Sequence, residues 1–76
     1  SKWFLRIKTQ NRVKIMESIS SSFKSCYILS NSVSGNKEEV VAFVNADNED
    51  LIDDYIEKVE SEKQAQSVKK LLVLDK

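Results

Sequence analysis

Residues 40–44 read VVAFV, five apolar residues in a row between Glu39 and Asn45. Successive side chains of an extended strand point to opposite faces, so Val41 and Phe43 share one face and the other three share the opposite face. A strand with one solvated face would instead alternate apolar and polar residues. The stretch therefore predicts a central strand that is covered on both faces, by helices on one and by a partner on the other.

Similar patterns on either side of this strand complete the fold. Alternation with a period of two predicts strands, and apolar residues three or four apart predict amphipathic helices. The predicted order is a strand over 2–8, a helix over 12–23, strands over 26–31 and 38–46, a helix over 49–64 and a strand over 68–74. This β-α-β-β-α-β order, with right-handed crossovers, predicts an α+β ferredoxin-like sandwich. It would be a four-stranded antiparallel sheet with two helices on one face, formed by residues 1–76 as a single domain.

The residue inventory argues against catalysis. The chain has no histidine, one cysteine and one glycine. That excludes histidine-based triads, Cys-x-x-Cys metal sites and phosphate-binding glycine loops. The carboxylates of the second helix spread around its surface without the spacing of a calcium loop, which indicates a solvated acidic face. We therefore expect no enzyme, no metal and no cofactor.

Cysteine usage and charge bear on location and partners. Cys26 is the only cysteine, which predicts a reducing, cytoplasmic setting. No apolar run approaches the ~18 residues that a membrane span needs. Basic residues are concentrated in 1–37 and acidic residues in 38–76. This asymmetry fits a basic first helix beside an acidic second one, or alternatively a nucleic-acid surface.

The second face of the sheet is predicted to be an interface. If Trp3 faces the helices, then Phe4 on the same strand looks outward, and we assign Val41 and Phe43 to the outward face with it. Together with residues of the last strand they form the predicted interface, which consists of Phe4, Val41, Phe43, Leu72 and Leu74. An apolar patch of this size is rarely left in contact with water. It indicates a homodimer or higher homo-oligomer that packs sheet against sheet.

An RRM-like, single-stranded nucleic-acid-binding module is the alternative. RNA-recognition motifs share this order of elements and stack bases on aromatic residues of the first and third strands. Phe4 and Phe43 would stack here, and Arg6 and Lys8 would contact phosphates. The basic-glycine-aromatic opening of the third-strand motif is missing, and Val41 stands where an aromatic residue belongs. These departures favour the protein interface.

The hairpin before the central strand, and the helix after it, carry a family resemblance. The hairpin is Ser34-Gly35-Asn36-Lys37-Glu38, and Asn45-Ala46-Asp47-Asn48-Glu49-Asp50-Leu51 leads into the acidic helix. From residue 34 to 74 the chain resembles the effector-binding and oligomerisation (RAM) domain of the Lrp/AsnC transcription regulators. In that family a Thr-Gly-(Asp/Glu)-Tyr-Asp hairpin precedes a strand of the same length. Related ACT domains share the fold and the regulatory role.

The resemblance implies a function as well as a fold. It implies dimers formed through the sheets, often assembled into rings, and amino-acid effectors bound near subunit interfaces. The ligand contacts carried over to this chain are Ser34, Gly35, Asn36, Lys37 and Glu38. DNA would be contacted by a separate helix-turn-helix domain. The sequence thus predicts a self-associating regulatory domain that binds a small metabolite such as an amino acid, with the nucleic-acid-binding module as the alternative.

Overall fold

The computed structural model describes residues 1–30 and 38–75. Their elements follow the order β-α-β-β-α-β that the sequence predicted, with boundaries that differ by a few residues. The elements are β1 (Lys2–Lys8), α1 (Arg12–Ser22), β2 (Cys26–Ser30), β3 (Glu39–Asn45), α2 (Glu49–Ser61) and β4 (Ser67–Leu74).

The four strands form one antiparallel sheet in the spatial order β2-β3-β1-β4. The first and third strands are therefore central, as in the predicted ferredoxin-like sandwich, and β2 and β4 are the edges. With both crossover helices on one side, the chain has the α+β ferredoxin-like architecture.

The helices bury one face of the two central strands. On β1 the burial alternates, and Trp3, Leu5 and Ile7 are buried while Arg6 and Lys8 are exposed. Their partners across the ladder are the helix-facing residues of β3, namely Val44, Ala42 and Val40. The core is closed from the helix side by buried residues that include Ile15, Ile19, Phe23, Ile52, Tyr55 and Val59. The predicted assignment of faces on β1 and β3 is confirmed.

Both helices begin at an asparagine cap, and the second ends earlier than predicted. The side chains of Asn11 and Asn48 accept hydrogen bonds from backbone N–H groups three residues later, at 3.2 and 3.3 Å. Helix α2 ends at Ser61 and not at residue 64, because Lys63 adopts a left-handed conformation with φ 59°. The N–H of Gln64 then donates to the carbonyl of Val59 at 2.8 Å, which closes the helix end.

A buried threonine joins three connections at one end of the sheet. Thr9 is completely buried, and its hydroxyl donates to the carbonyl of Gln64 at 2.6 Å. The same oxygen accepts a hydrogen bond from the N–H of Asn11 at 3.0 Å. The N–H of Thr9 donates to the carbonyl of Glu38 at 2.6 Å. The loops after β1 and α2 and the turn before β3 are thereby held together.

Candidate functional site on the open sheet face

The sheet face opposite the two helices, called the open face here, carries a row of aromatic side chains. Tyr27 pairs with Phe43, and Phe43 pairs with Phe4, on three adjacent strands. Directly opposed residues of an antiparallel ladder point to the same face. The rings of Phe4 and Phe43 meet edge to face, with centroids 5.1 Å apart. Tyr27, Phe43 and Phe4 form what we call the aromatic row.

Aliphatic side chains extend the aromatic row. Leu71 of β4 pairs with Phe4 at one end of the row, and Leu29 pairs with Val41 beside it. Exposure is greatest at the two edges of the sheet, 64% for Tyr27 and 63% for Leu71. Phe4, Val41 and Phe43 are half-buried by their neighbours. The open face therefore presents a continuous apolar band across all four strands.

Cationic side chains flank the band on the β1–β4 side. Lys2, Arg6 and Lys8 share the outward face of β1 with Phe4, and Lys69 pairs with Arg6 from β4. All four of these side chains are exposed. Among the residues of the four strands, Glu39 is the one carboxylate on this face. The positive charge is thus concentrated beside the aromatic row.

The carboxylate of Glu39 is engaged by Arg6. The Nε of Arg6 donates to Oε2 of Glu39 at 2.9 Å across the β1–β3 ladder. The side chain of Glu39 is only 8% exposed, whereas that of Arg6 is 55% exposed. Arg6 and Glu39 offset each other's charge. The net positive charge of the strands on this face therefore comes from Lys2, Lys8 and Lys69.

Half of the chain's twelve acidic residues lie in the other layer, on α2. Glu49 and Asp53 of that helix accept hydrogen bonds from the ammonium group of Lys70 on β4. These bonds, to Asp53 first and Glu49 second, raise the pKa of Lys70 above its ordinary value. Within the described residues, no three His, Cys, Asp or Glu side chains cluster closely enough to hold a metal ion. None of the helices in that part of the chain is both long and apolar enough to cross a membrane.

The structure assigns the predicted interface residues to two different faces. Phe4, Val41 and Phe43 lie on the open face, and Leu74 pairs with Lys2 and joins them. Leu72 pairs with Trp3 and lies on the helix side, so its predicted position is wrong. Leu72 belongs to the regular part of the ladder, which also places Val68 and Lys70 on the helix side. The register shifts only after it, between Trp3 and Lys2, and this irregularity places Leu74 on the open face. Leu71 takes its place beside Phe4.

Sequence reasoning missed Tyr27 and Leu29. The alternation in β2 was a usable signal, because Cys26 and Ile28 pack toward the core while Tyr27 and Leu29 are exposed. The predicted ligand contacts Ser34, Gly35, Asn36 and Lys37 lie outside the described residues. Glu38 lies in the exposed turn before β3.

Comparison of the chain with protein-family models, with curated proteins and with solved structures found no match. The function of the open face therefore has to be inferred from its own residues.

Proposed function

We propose that the chain is a binding module for single-stranded nucleic acid, which lies on the open face. The aromatic row carries this proposal. Three aromatic side chains on adjacent strands offer π-surfaces to unstacked bases, and base stacking on such side chains contributes about 1–3 kcal/mol per base. Lys2, Lys8 and Lys69 lie beside the row, where phosphates of a strand stacked on it would pass.

Charge favours a polyanion over a second copy on this face. Two copies packed face to face would bring the lysines of both together, and the one carboxylate that the described strands place on this face, Glu39, is already paired with Arg6. Like charges placed opposite one another weaken an interface. A nucleic-acid backbone instead gains from each lysine by releasing condensed counterions. The acidic α2 lies on the other side of the sheet from the part of a strand that stacks on the aromatic row.

The structure changes two points of the sequence argument. Glu39, an acidic residue on the same face, is paired with Arg6. Tyr27 supplies a third aromatic residue from β2, although Val41 remains where RNA-recognition motifs have one. A module of this kind binds its ligand and does not catalyse a reaction. Cys26 is the only cysteine of the sequence, which supports a reducing, cytoplasmic location.

Fluorescence anisotropy with labelled single-stranded RNA and DNA of about 12 nucleotides tests the proposal. We expect binding that weakens by roughly 20-fold between about 50 and 200 mM salt if three phosphates are contacted. Phe43→Ala and Tyr27→Ala should each weaken binding about 5-fold or more. Val13→Ala is the matched control, because Val13 is 66% exposed on α1, away from this face. Absence of binding at low salt, or an equal loss in the control, would contradict the proposal.

A self-associating regulatory domain is the second candidate. It is favoured by the exposed aliphatic side chains of the open face, which base stacking does not require. These are Leu29, Leu71 and Leu74. The resemblance to Lrp/AsnC effector domains supports the same hypothesis. It also implies that an amino-acid effector binds near the interface between subunits. Association would then cover the apolar band with a second copy.

Sedimentation velocity at tens of micromolar separates the two candidates. If the chain is a self-associating regulatory domain, we expect a dimer or larger oligomer that Phe43→Asp converts to a folded monomer. A monomer that binds oligonucleotide supports the nucleic-acid module. An oligomer that persists in Phe43→Asp would count against the open face as its interface.

A further inference from the structure

A cleft of about 500 Å³ lies at one end of the sheet, on the helix side. We call it the end cleft. It opens between the C-terminal end of α1, the end of β3 and one face of α2. Phe23 and Tyr55, both buried, line it with rings in edge-to-face contact at 5.4 Å. Leu51 adds an exposed apolar wall.

The end cleft adjoins the open face. Lys24, Ser25 and Asn45 line it and also line a hollow of about 420 Å³ on the open face, beside Tyr27 and Phe43. The N–H of Asn45 donates to the carbonyl of Ser25 at 3.0 Å, so the rim between the two is a hydrogen-bonded strip of backbone. A strand stacked on Tyr27 and Phe43 reaches the end cleft by crossing this rim.

The charges in the end cleft distinguish a strand end from a continuing strand. Lys24 lies on the shared rim, where a phosphate would cross. Beyond it the lining includes the carboxylates of Asp47 and Asp54 together with Lys58. Lys58 offsets one of the two carboxylates, and the remaining negative charge repels a further phosphate. Both carboxylates accept hydrogen bonds from sugar hydroxyls and base amino groups. The apolar wall of the cleft suits the face of one base.

We infer that the end cleft receives the hydroxyl-terminated end of the single strand that lies on the open face, with one base against Leu51. The inference rests on the proposed nucleic-acid function. It makes the module selective for strand ends, a property that the aromatic row alone would not give.

The test compares three forms of one oligonucleotide by fluorescence anisotropy. They are a linear strand with hydroxyl ends, the same strand phosphorylated at its 5′ or its 3′ end, and the circularised strand. We expect the circular form to bind about 5-fold or more weakly than the linear form, since it forgoes one stacked base. A phosphate on the end that enters the cleft should have a similar effect, and the other end should not.

Leu51→Trp fills the end cleft. Its control is Val13→Trp, which places the same side chain at another exposed apolar position on a helix. We expect Leu51→Trp to bind linear and circular strands equally, and Val13→Trp to retain the preference. Suppose that the unmodified chain binds both forms equally and that Phe43→Ala still loses binding. This result would overturn the inference about the end cleft and leave the proposed function standing. If the chain binds neither form, both proposals fail. The linear and circular comparison uses the unmodified chain and does not depend on the folding of any variant.

Discussion

Phe4 lies directly opposite Phe43 on the two central strands, and the planes of their rings are inclined by 61°. This edge-to-face contact directs the positive edge of one ring at the negative face of the other. The two residues therefore stabilise the sheet as well as forming the centre of the aromatic row.

A double-mutant cycle with Phe4→Leu and Phe43→Leu measures that contact. We expect a coupling energy of about 0.5–1.5 kcal/mol in the free energy of unfolding by urea. The same cycle between Phe4 and Leu29, which lie on non-adjacent strands, is the control. A coupling no larger than that of the control would show that the ring contact contributes nothing beyond burial.

Arg6→Gln should destabilise the fold more than Lys2→Gln, an exposed outward position of β1 that pairs with Asn45 and not with Glu39. The substitution removes a charged donor from the buried carboxylate of Glu39. Loss of one partner from a buried carboxylate costs about 1–3 kcal/mol, and the exposure of Arg6 places the expected loss at the lower end. Urea denaturation of both variants gives the comparison. Similar midpoints would mean that the ion pair is screened as an ordinary surface pair.

Lys63→Gly should stabilise the protein. Lys63 has φ 59°, a conformation that glycine adopts without the steric cost of a Cβ, at the closed end of α2. We expect a gain of about 0.5–1 kcal/mol in the free energy of unfolding. Lys58→Gly, inside the last turn of the same helix, should instead cost about 1 kcal/mol. A loss of stability in Lys63→Gly would contradict this account of the helix end.

Stability should fall as the pH rises above about 10, through two groups. Hydrogen bonds to Asp53 and Glu49 raise the pKa of Lys70, and burial raises the pKa of Tyr55. In both cases the folded chain holds the proton more tightly than the unfolded chain does. The stabilisation is complete below the unfolded-state pKa and is lost as the pH rises through the folded-state value.

Unfolding in urea at pH 8, 10 and 11 measures this dependence. Lys70→Gln and Tyr55→Phe should each flatten the decline, whereas Lys69→Gln on the outward face of β4 should leave it unchanged. In Tyr55→Phe we also expect little loss at pH 8, because no hydrogen bond of normal geometry joins the buried hydroxyl to the described residues. Parallel curves for all variants would assign the alkaline decline to other groups.

Local patterns in the sequence were sufficient for the order of elements and for the faces of the central strands. The alternation of Trp3, Leu5 and Ile7 with polar neighbours identified the buried face of β1, and the structure confirms it. The acidic residues after Asn48 likewise marked the start of α2. These features follow from the periods of the strand and the helix, which each segment carries within itself.

Positions that depend on contacts between segments were not predictable in the same way. The register shift between Trp3 and Lys2 places Leu72 and Leu74 on opposite faces, where simple alternation would put them together, and nothing in the sequence of β4 signals it. The left-handed residue that ends α2 is Lys63, where a glycine would have been the expected marker. Each reflects a fit to neighbouring elements and not a local preference.

The amino-acid sequence established an α+β sandwich, its two central strands and the absence of histidine chemistry, because hydrophobic period and residue inventory are properties of the chain itself. Tertiary structure was needed to align Tyr27, Phe43 and Phe4 in one row, to bring Arg6 onto Glu39 and to join the end cleft to the open face at Ser25 and Asn45. The physical reason is strand register. Residues distant in sequence become neighbours only when the ladder pairs them, and that pairing is set by the packing of the whole sheet against its helices.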